Sequence, residues 1–124
     1  MRLEKLFFLA GSIFGFLGVA AGSFGAHALK LRLSAEMLAV FETAARYQLL
    51  HAVVLLFVGL AVNFFPTSTL RTSGFLFMAG IIIFSGSLYI LSLSGVRAWG
   101  AVTPFGGLML LAGWGFLVLA AAKR

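Results

Sequence analysis

The stretch GSIFGFLGVAAGSFG at residues 11–25 carries five glycines in a strongly apolar setting. Each glycine costs a helix interior about 1 kcal/mol relative to alanine. On a helix all five fall within a wedge of about 80°, and their mean spacing of about 3.5 residues is the period of a left-handed supercoil. They are Gly11, Gly15, Gly18, Gly22 and Gly25.

Helices in lipid associate where small residues let their backbones approach closely. The glycine stripe therefore predicts a packing seam along a first membrane helix, with Gly18 at a close contact and helices crossing at about +20°. The competing interpretation is that glycine is simply common in membrane helices.

The composition and the placement of charge indicate a membrane protein. Of 124 residues, 62% are hydrophobic and 10% are charged, whereas a soluble domain has about 25% charged residues. Four runs of 24 or 25 residues contain no ionised side chain, and about 20 helical residues cross a bilayer core. These runs are 6–29, 47–70, 72–96 and 98–122.

We therefore expect an all-α integral membrane protein: a single domain over 1–124 with four transmembrane helices in an antiparallel, left-handed, glycine-rich bundle. The expected spans are about 6–26, 46–65, 70–94 and 99–122, with helix 2 extended by an interfacial segment at 35–45. The basic start and the small residues at 19–21 also fit a signal peptide, but we expect the first segment to be retained as a helix.

Helix ends follow from capping residues. Ser34 is expected to cap helix 2, Pro66 to stop it, and Ser68 or Thr69 to cap helix 3. Helix 3 is expected to end near Ser94 and Gly95. Thr103 followed by Pro104 resembles a cap with proline at the first helical position, and residues 98–102 are either helical before a kink or irregular.

The basic residues lie at the expected helix ends, where they meet anionic lipid headgroups rather than nucleic acid. One side carries Arg2, Lys5, Arg71, Lys123 and Arg124, and the other carries Lys30, Arg32, Arg46 and Arg97. The one-residue excess on the first side favours cytoplasmic termini in a bacterial cell membrane.

Polar residues that could form a site gather on the side opposite the termini. This candidate polar cluster comprises His27, Glu42, Arg46, Tyr47, Gln48, His51, Arg97 and Thr103. Glu42 and Arg46 have the i,i+4 spacing of an ion pair, whereas Glu42 and His51 point in opposite directions. Purely structural interpretations are an interfacial ion pair, a neutral His51 bonded to a neighbouring helix, and a polar end to helix 1 at His27.

Catalysis, metal binding and cofactor binding receive little support. No nucleophile stands with a recognisable base, and two histidines make a poor zinc site. Ser85 and Ser87 are expected to form hydrogen bonds between helices. The small multidrug antiporters are similar in size, but they place an acidic residue in the first membrane helix, and the run 6–29 has none.

Four phrases resemble the YgdD/YwdK-like family of small bacterial membrane proteins, a domain of unknown function with a eukaryotic transmembrane relative. They are GSFGAHALK at 22–30, FETAARYQLLHA at 41–52, FSGSLYIL at 84–91 and GAVTPFGGLMLLAGW at 100–114. The resemblance implies a four-helix membrane protein and no established activity. The family pattern falls on Gly25, His27, Phe41, Glu42, Tyr47, Gln48, His51, Ser85, Tyr89, Thr103, Pro104 and Gly106, while Leu50 stands where the family often has an aromatic residue.

Three functions remain open on these residues. The first is a structural or accessory membrane component, alone or as a homo-oligomer. The second is a transporter or channel for a small or amphipathic solute, with a vestibule around Glu42, Arg46, Tyr47 and His51. The third, with the least support, is an enzyme acting on lipid headgroups.

Overall fold

A computed structural model describes residues 1–65 and 67–123, which form four long helices. These are α1 at Leu3–His27, α2 at Ala35–Phe64, α3 at Ser68–Ser94 and α4 at Thr103–Ala122. Short 3-10 turns at Leu29–Leu31 and Arg97–Ala101 precede α2 and α4. All four helices are long and apolar enough to cross a membrane, so the predicted all-helical membrane fold is confirmed. Two predictions fall outside the described residues: Pro66 as the end of α2, and Arg124 as a positive charge on the side of the termini.

The helix ends agree with the sequence in two places and differ in two others. The Ser34 hydroxyl accepts a hydrogen bond from the Met37 amide at 3.1 Å, and Gly95 ends α3 with a φ of 74°. The cap of α3 is Thr67 rather than Ser68 or Thr69, because its hydroxyl accepts from the Leu70 amide. Thr103 does not cap α4; its hydroxyl lies instead against Ser87 of α3.

Helices α2 and α3 form the centre of the protein. Helix α1 packs on α2, α4 packs on α3, and the backbones of α1 and α4 do not approach each other in the described part of the chain. A core of large apolar side chains fills the contact between α2 and α3, and Phe7 of α1 and Leu110 of α4 also belong to it. The core consists of Phe7, Leu55, Val58, Val62, Leu70, Phe77, Ile81 and Leu110. The four helices therefore lie in a row in the order α1, α2, α3, α4, rather than in a closed square bundle.

The glycine stripe of α1 faces α2. A methyl group built on Gly18 would lie 2.9 Å from the Leu49 side chain, and one on Gly25 would lie 2.9 Å from the Phe41 ring. Gly11 meets Leu56 in the same way. These contacts, seven residues apart, confirm the predicted close contact at Gly18; the left-handed crossing angle remains a prediction.

Two of the five glycines lie at the edge of this contact. A methyl group added at Gly15 would lie 3.9 Å from its nearest neighbour on α2, the Ala52 Cβ, and one at Gly22 would have no neighbour within 4 Å. The expectation that all five line the seam is therefore wrong for Gly22. The reason is geometric, because the glycines form two rows along the helix. The row of Gly11, Gly18 and Gly25 is turned onto α2, and the row of Gly15 and Gly22 lies beside it.

The tightest helix contacts occur at glycines outside the stripe. A methyl on Gly106 of α4 would overlap the backbone nitrogen of Phe84 and lie 2.7 Å from its Cα. On α3, a methyl on Gly80 would lie 2.7 Å from the Leu110 side chain of α4. Glycine is required at Gly106 because only a hydrogen atom fits between the α3 and α4 backbones.

Candidate functional site: a buried polar network across four helices

Gln48 joins three helices through its amide group. It is 5% exposed on α2; its Nε2 donates to the Phe14 carbonyl of α1 at 2.8 Å, and its Oε1 accepts from the Tyr89 hydroxyl of α3 at 2.6 Å. A carbonyl oxygen only accepts, so these partners fix the orientation of the amide. Gln48 is thus a polar cross-link at the point where α1, α2 and α3 meet.

His51 lies one turn further along α2 and reaches α4. It is 3% exposed; its Nδ1 lies 2.8 Å from the Tyr47 carbonyl oxygen, and its Nε2 accepts from the indole Nε1 of Trp114 at 3.1 Å. Since a carbonyl only accepts and an indole N–H only donates, the ring must carry its proton on Nδ1 and be neutral. Both nitrogens are therefore occupied by protein partners.

Two serines complete the connections between helices. The Ser85 hydroxyl of α3 donates to the Ala44 carbonyl of α2 at 2.8 Å. The Ser87 hydroxyl lies 2.6 Å from the Thr103 hydroxyl of α4. Both serines are buried and bond across helices, which confirms the interpretation drawn from the sequence.

Together these side chains form what we call the buried polar network. Its buried members are Gln48, His51, Ser85 and Ser87, and they bond the partly buried Tyr89 and Thr103 and the 42% exposed Trp114. Among the described residues, every buried side-chain nitrogen or oxygen has a hydrogen-bond partner. An unpaired polar group in an apolar interior is costly, so a fully paired network stabilises one arrangement of the helices.

The charged members of the candidate polar cluster lie elsewhere. Glu42 and Arg46 are exposed on the outer face of α2, which continues with the exposed Leu50 and Val53. The described part of the chain contains no ion pair between Glu42 and Arg46, so that expectation is wrong. Both are long, exposed side chains, and the fixed geometry of an ion pair there gains little energy. The opposite orientations of Glu42 and His51 are confirmed.

The remaining predicted residues occupy the rim of the same end. Arg97 forms an ion pair with Glu36 at 2.8 Å, tying the turn before α4 to the start of α2. His27 is exposed at the last residue of α1. Tyr47 is 40% exposed and packs between His51 and Phe84, with ring centroids 6.0 and 4.7 Å away. The structure thus brings Gln48, His51 and Thr103 into the buried network and leaves the charged residues outside it.

Two members of the network were not predicted as site residues: Trp114 and Tyr89 stand only in phrases that carry the family resemblance. Each is an aromatic residue with a hydrogen-bonding tip inside an otherwise apolar run. That combination is the available signal, because a tyrosine hydroxyl or indole N–H at membrane depth needs a polar partner. Which partner it finds depends on helix packing, which spacing along one helix does not reveal.

The hydrogen-bonding groups of His51 and Ser85 are engaged within the protein. The one acceptor nitrogen of His51 is occupied by Trp114, and Ser85 donates to a backbone carbonyl rather than to a base. Within 1–65 and 67–123, no three potential metal-ligating side chains of His, Cys, Asp or Glu come together.

Comparison with known proteins places the chain in a family. A family model described as "Protein of unknown function (DUF423)" matches residues 21–107. The UPF0382 membrane protein YwdK of Bacillus subtilis is 40% identical over 120 residues, covering 96% of this chain and 98% of the relative. The UPF0382 membrane protein SH2409 of Staphylococcus haemolyticus is 39% identical over 119 residues, covering 96% and 97%. No solved structure gives a significant match. The chain is therefore a membrane protein of the UPF0382 family, which carries the DUF423 domain.

Proposed function

We propose that this protein is a non-catalytic structural or accessory component of the membrane, with an interior closed to solutes. The observation that carries the proposal is the complete pairing of the buried polar network within the described residues. A solute path needs polar groups that can exchange protein partners for the solute. Here the amide of Gln48 and the Nε2 of His51 join helices, and the Nδ1 of His51 is bonded within α2.

The transporter alternative would need one polar vestibule around Glu42, Arg46, Tyr47 and His51. Instead, Glu42 and Arg46 lie on the exposed outer face of α2, while His51 is buried toward α3 and α4. Side chains on opposite faces of one helix cannot line a common cavity. This separation supports the structural role over transport.

Cysteine accessibility tests the proposal directly, because the chain contains no cysteine of its own. Single variants Ser85→Cys, Ser87→Cys and Ser92→Cys place a thiol at three buried positions on α3. In sealed vesicles of both orientations, a membrane-impermeant maleimide is expected to leave all three unlabelled, because no aqueous path reaches them.

Ser94→Cys serves as the matched control, since Ser94 is exposed at the end of the same helix and its thiol should be labelled from one side. Labelling of Ser85→Cys or Ser87→Cys from either side would reveal an aqueous path. That result would overturn the closed interior and favour the transporter.

We also propose that the protein resides in the bacterial cell membrane with both termini in the cytoplasm. The even number of spans in the described chain supports the placement of both termini on one side. The termini share that side with Arg2, Lys5, Arg71 and Lys123. Reporter fusions test this: green fluorescent protein at the carboxyl terminus should fluoresce, and alkaline phosphatase there should be inactive. The reverse pattern would invert the topology.

The outer helices leave room for self-association, and we propose a homo-oligomer as the working assembly. A methyl group added at Gly22 on α1 or at Gly115 on α4 would have no neighbour within 4 Å in the described chain, so each outer helix keeps an uncovered small residue, and small residues are where helices associate in lipid. Single-molecule photobleaching in nanodiscs tests it: more than one step per particle is expected, and a uniform single step at full labelling would contradict it.

A further inference from the structure

The two cavities at the end of the protein that carries the termini have complementary chemistry. The first has a volume of about 430 Å³ and lies where α1 begins, α2 ends and α3 begins; polar side chains that line it are Arg2, Glu4, Asn63 and Arg71. The second, of about 370 Å³, continues from it along the outer surface; its lining includes Lys5, Phe8, Gly59 and Leu60. Arg2, Glu4 and Asn63 line both, so the two cavities adjoin and offer one ligand a shared space.

The charge of this space favours an anion. Arg2 and Lys5 contribute two positive charges and Glu4 one negative charge, so these three lining side chains carry a net charge of 2 − 1 = +1. The Arg2 side chain is 81% exposed; its Nε bonds Glu4 at 2.7 Å, and its guanidinium has no other partner in the described chain. Glu4 therefore orients Arg2 and leaves four N–H donors for a ligand.

The neighbouring groove is apolar and faces lipid. Phe8 and Leu60 are 52% and 58% exposed, and they flank Gly59, where α1 and α2 touch. A ligand for the whole space thus needs an anionic oxygen-rich group beside a hydrocarbon chain. At the ends of membrane-spanning helices, that description fits an anionic phospholipid, with its phosphate among the basic residues and an acyl chain along the groove.

We propose that this space is a binding site for one anionic phospholipid. At the opposite end, Arg97 is neutralised by Glu36, Arg46 projects from an open helix face, and Lys30 and Arg32 line neither of the two cavities. The lipid site is independent of the proposed structural role, so a failure of one would not contradict the other.

Native mass spectrometry of the full-length protein tests the site with dioleoyl phosphatidylglycerol and with the zwitterionic dioleoyl phosphatidylcholine. The wild type is expected to retain the anionic lipid in preference. The double variant Arg2→Gln/Lys5→Gln should weaken that binding by about tenfold or more, because each cation near an anionic lipid contributes severalfold to affinity. Both residues are exposed, so the fold should be unaffected.

The matched control is Lys30→Gln/Arg32→Gln, which removes two exposed cations from the opposite end. It should bind the anionic lipid as the wild type does. An equal loss in this control, no loss in Arg2→Gln/Lys5→Gln, or equal binding of the two lipids would overturn the proposal. The chain-free headgroup glycerophosphoglycerol separates lipid from free phosphate ester: it should not displace the lipid, and efficient displacement would also refute a lipid site.

Discussion

The two outer helices are attached to the central pair in different ways. On α1, the neighbours of Gly18 are the side chains of Leu49 and Gln48, which can shift by changing rotamer. On α4, the neighbour of Gly106 is the backbone of Phe84, which cannot move without moving α3. The contact at Gly18, in the glycine stripe that dominates the sequence, is therefore more adaptable than the contact at the less conspicuous Gly106.

The largest effect is expected for Gly106→Ala. Its single methyl group would overlap the Phe84 backbone, so α4 must move away from α3, at a cost of about 3 kcal/mol in unfolding free energy. Unfolding in mixed micelles, followed by circular dichroism, measures it. Gly115→Ala is the control, because nothing lies within 4 Å of its added methyl group, and it should be neutral or slightly stabilising.

Gly18→Leu should destabilise by less, about 2 kcal/mol, although it adds a much larger side chain. The side chain of Leu49 can yield in part, so the α1–α2 seam is strained rather than broken. Gly22→Leu, in the same helix but without a neighbour within 4 Å, should unfold like the parent. If Gly18→Leu also unfolds like the parent, the seam does not hold α1; if it costs more than Gly106→Ala, the contrast between the outer helices fails.

Gln48→Leu tests the polar part of the α1 attachment. The substitution leaves the Phe14 carbonyl and the Tyr89 hydroxyl without their partner, at an expected cost of about 1–2 kcal/mol. A double-mutant cycle with Tyr89→Phe should give a coupling energy of about 0.6–1.7 kcal/mol in the same unfolding assay. Additive effects of the two substitutions would show that the pair does not interact.

Trp114→Phe should have the smallest effect, about 0.5–1 kcal/mol, because the ring contacts with Phe77 are kept and only the hydrogen bond to His51 is lost.

The hydrogen bond between Trp114 and His51 also predicts the tautomer of the histidine. Nitrogen-15 NMR of labelled histidine should show His51 protonated on Nδ1 and unprotonated on Nε2 at neutral pH. The opposite tautomer would place two N–H groups against each other and contradict the geometry.

Much of the fold could be predicted from the sequence because it depends on properties local to one helix. Uncharged runs longer than a bilayer give the four spans, Ser34 and Gly95 give two helix ends, and glycine spacing gives the face that α1 turns to α2. Two predictions failed narrowly. Gly22 lies one row away from the contact with α2, and the cap of α3 lies one residue before Ser68, because neighbouring small or polar residues are equally suitable by sequence.

The site was harder to predict because its geometry depends on pairs of helices. Residues close in sequence, such as Glu42 and Gln48, separate onto the outer and inner faces of α2. Residues far apart, such as His51 and Trp114, are joined by a hydrogen bond across the protein. No single-helix pattern contains the rotation of one helix against the next, so the sequence alone does not divide the polar cluster into its buried and exposed parts.

Disulfide cross-linking tests most directly whether the glycine stripe of α1 lies against α2. In this cysteine-free chain, the pair Gly18→Cys/Leu49→Cys should oxidise readily in native membranes, since a methyl on Gly18 would already lie 2.9 Å from the Leu49 side chain. The pair Phe16→Cys/Leu49→Cys, with the 76% exposed position 16 facing outward, should not. Cross-linking through position 16 in place of position 18 would mean that α1 turns its glycines toward lipid.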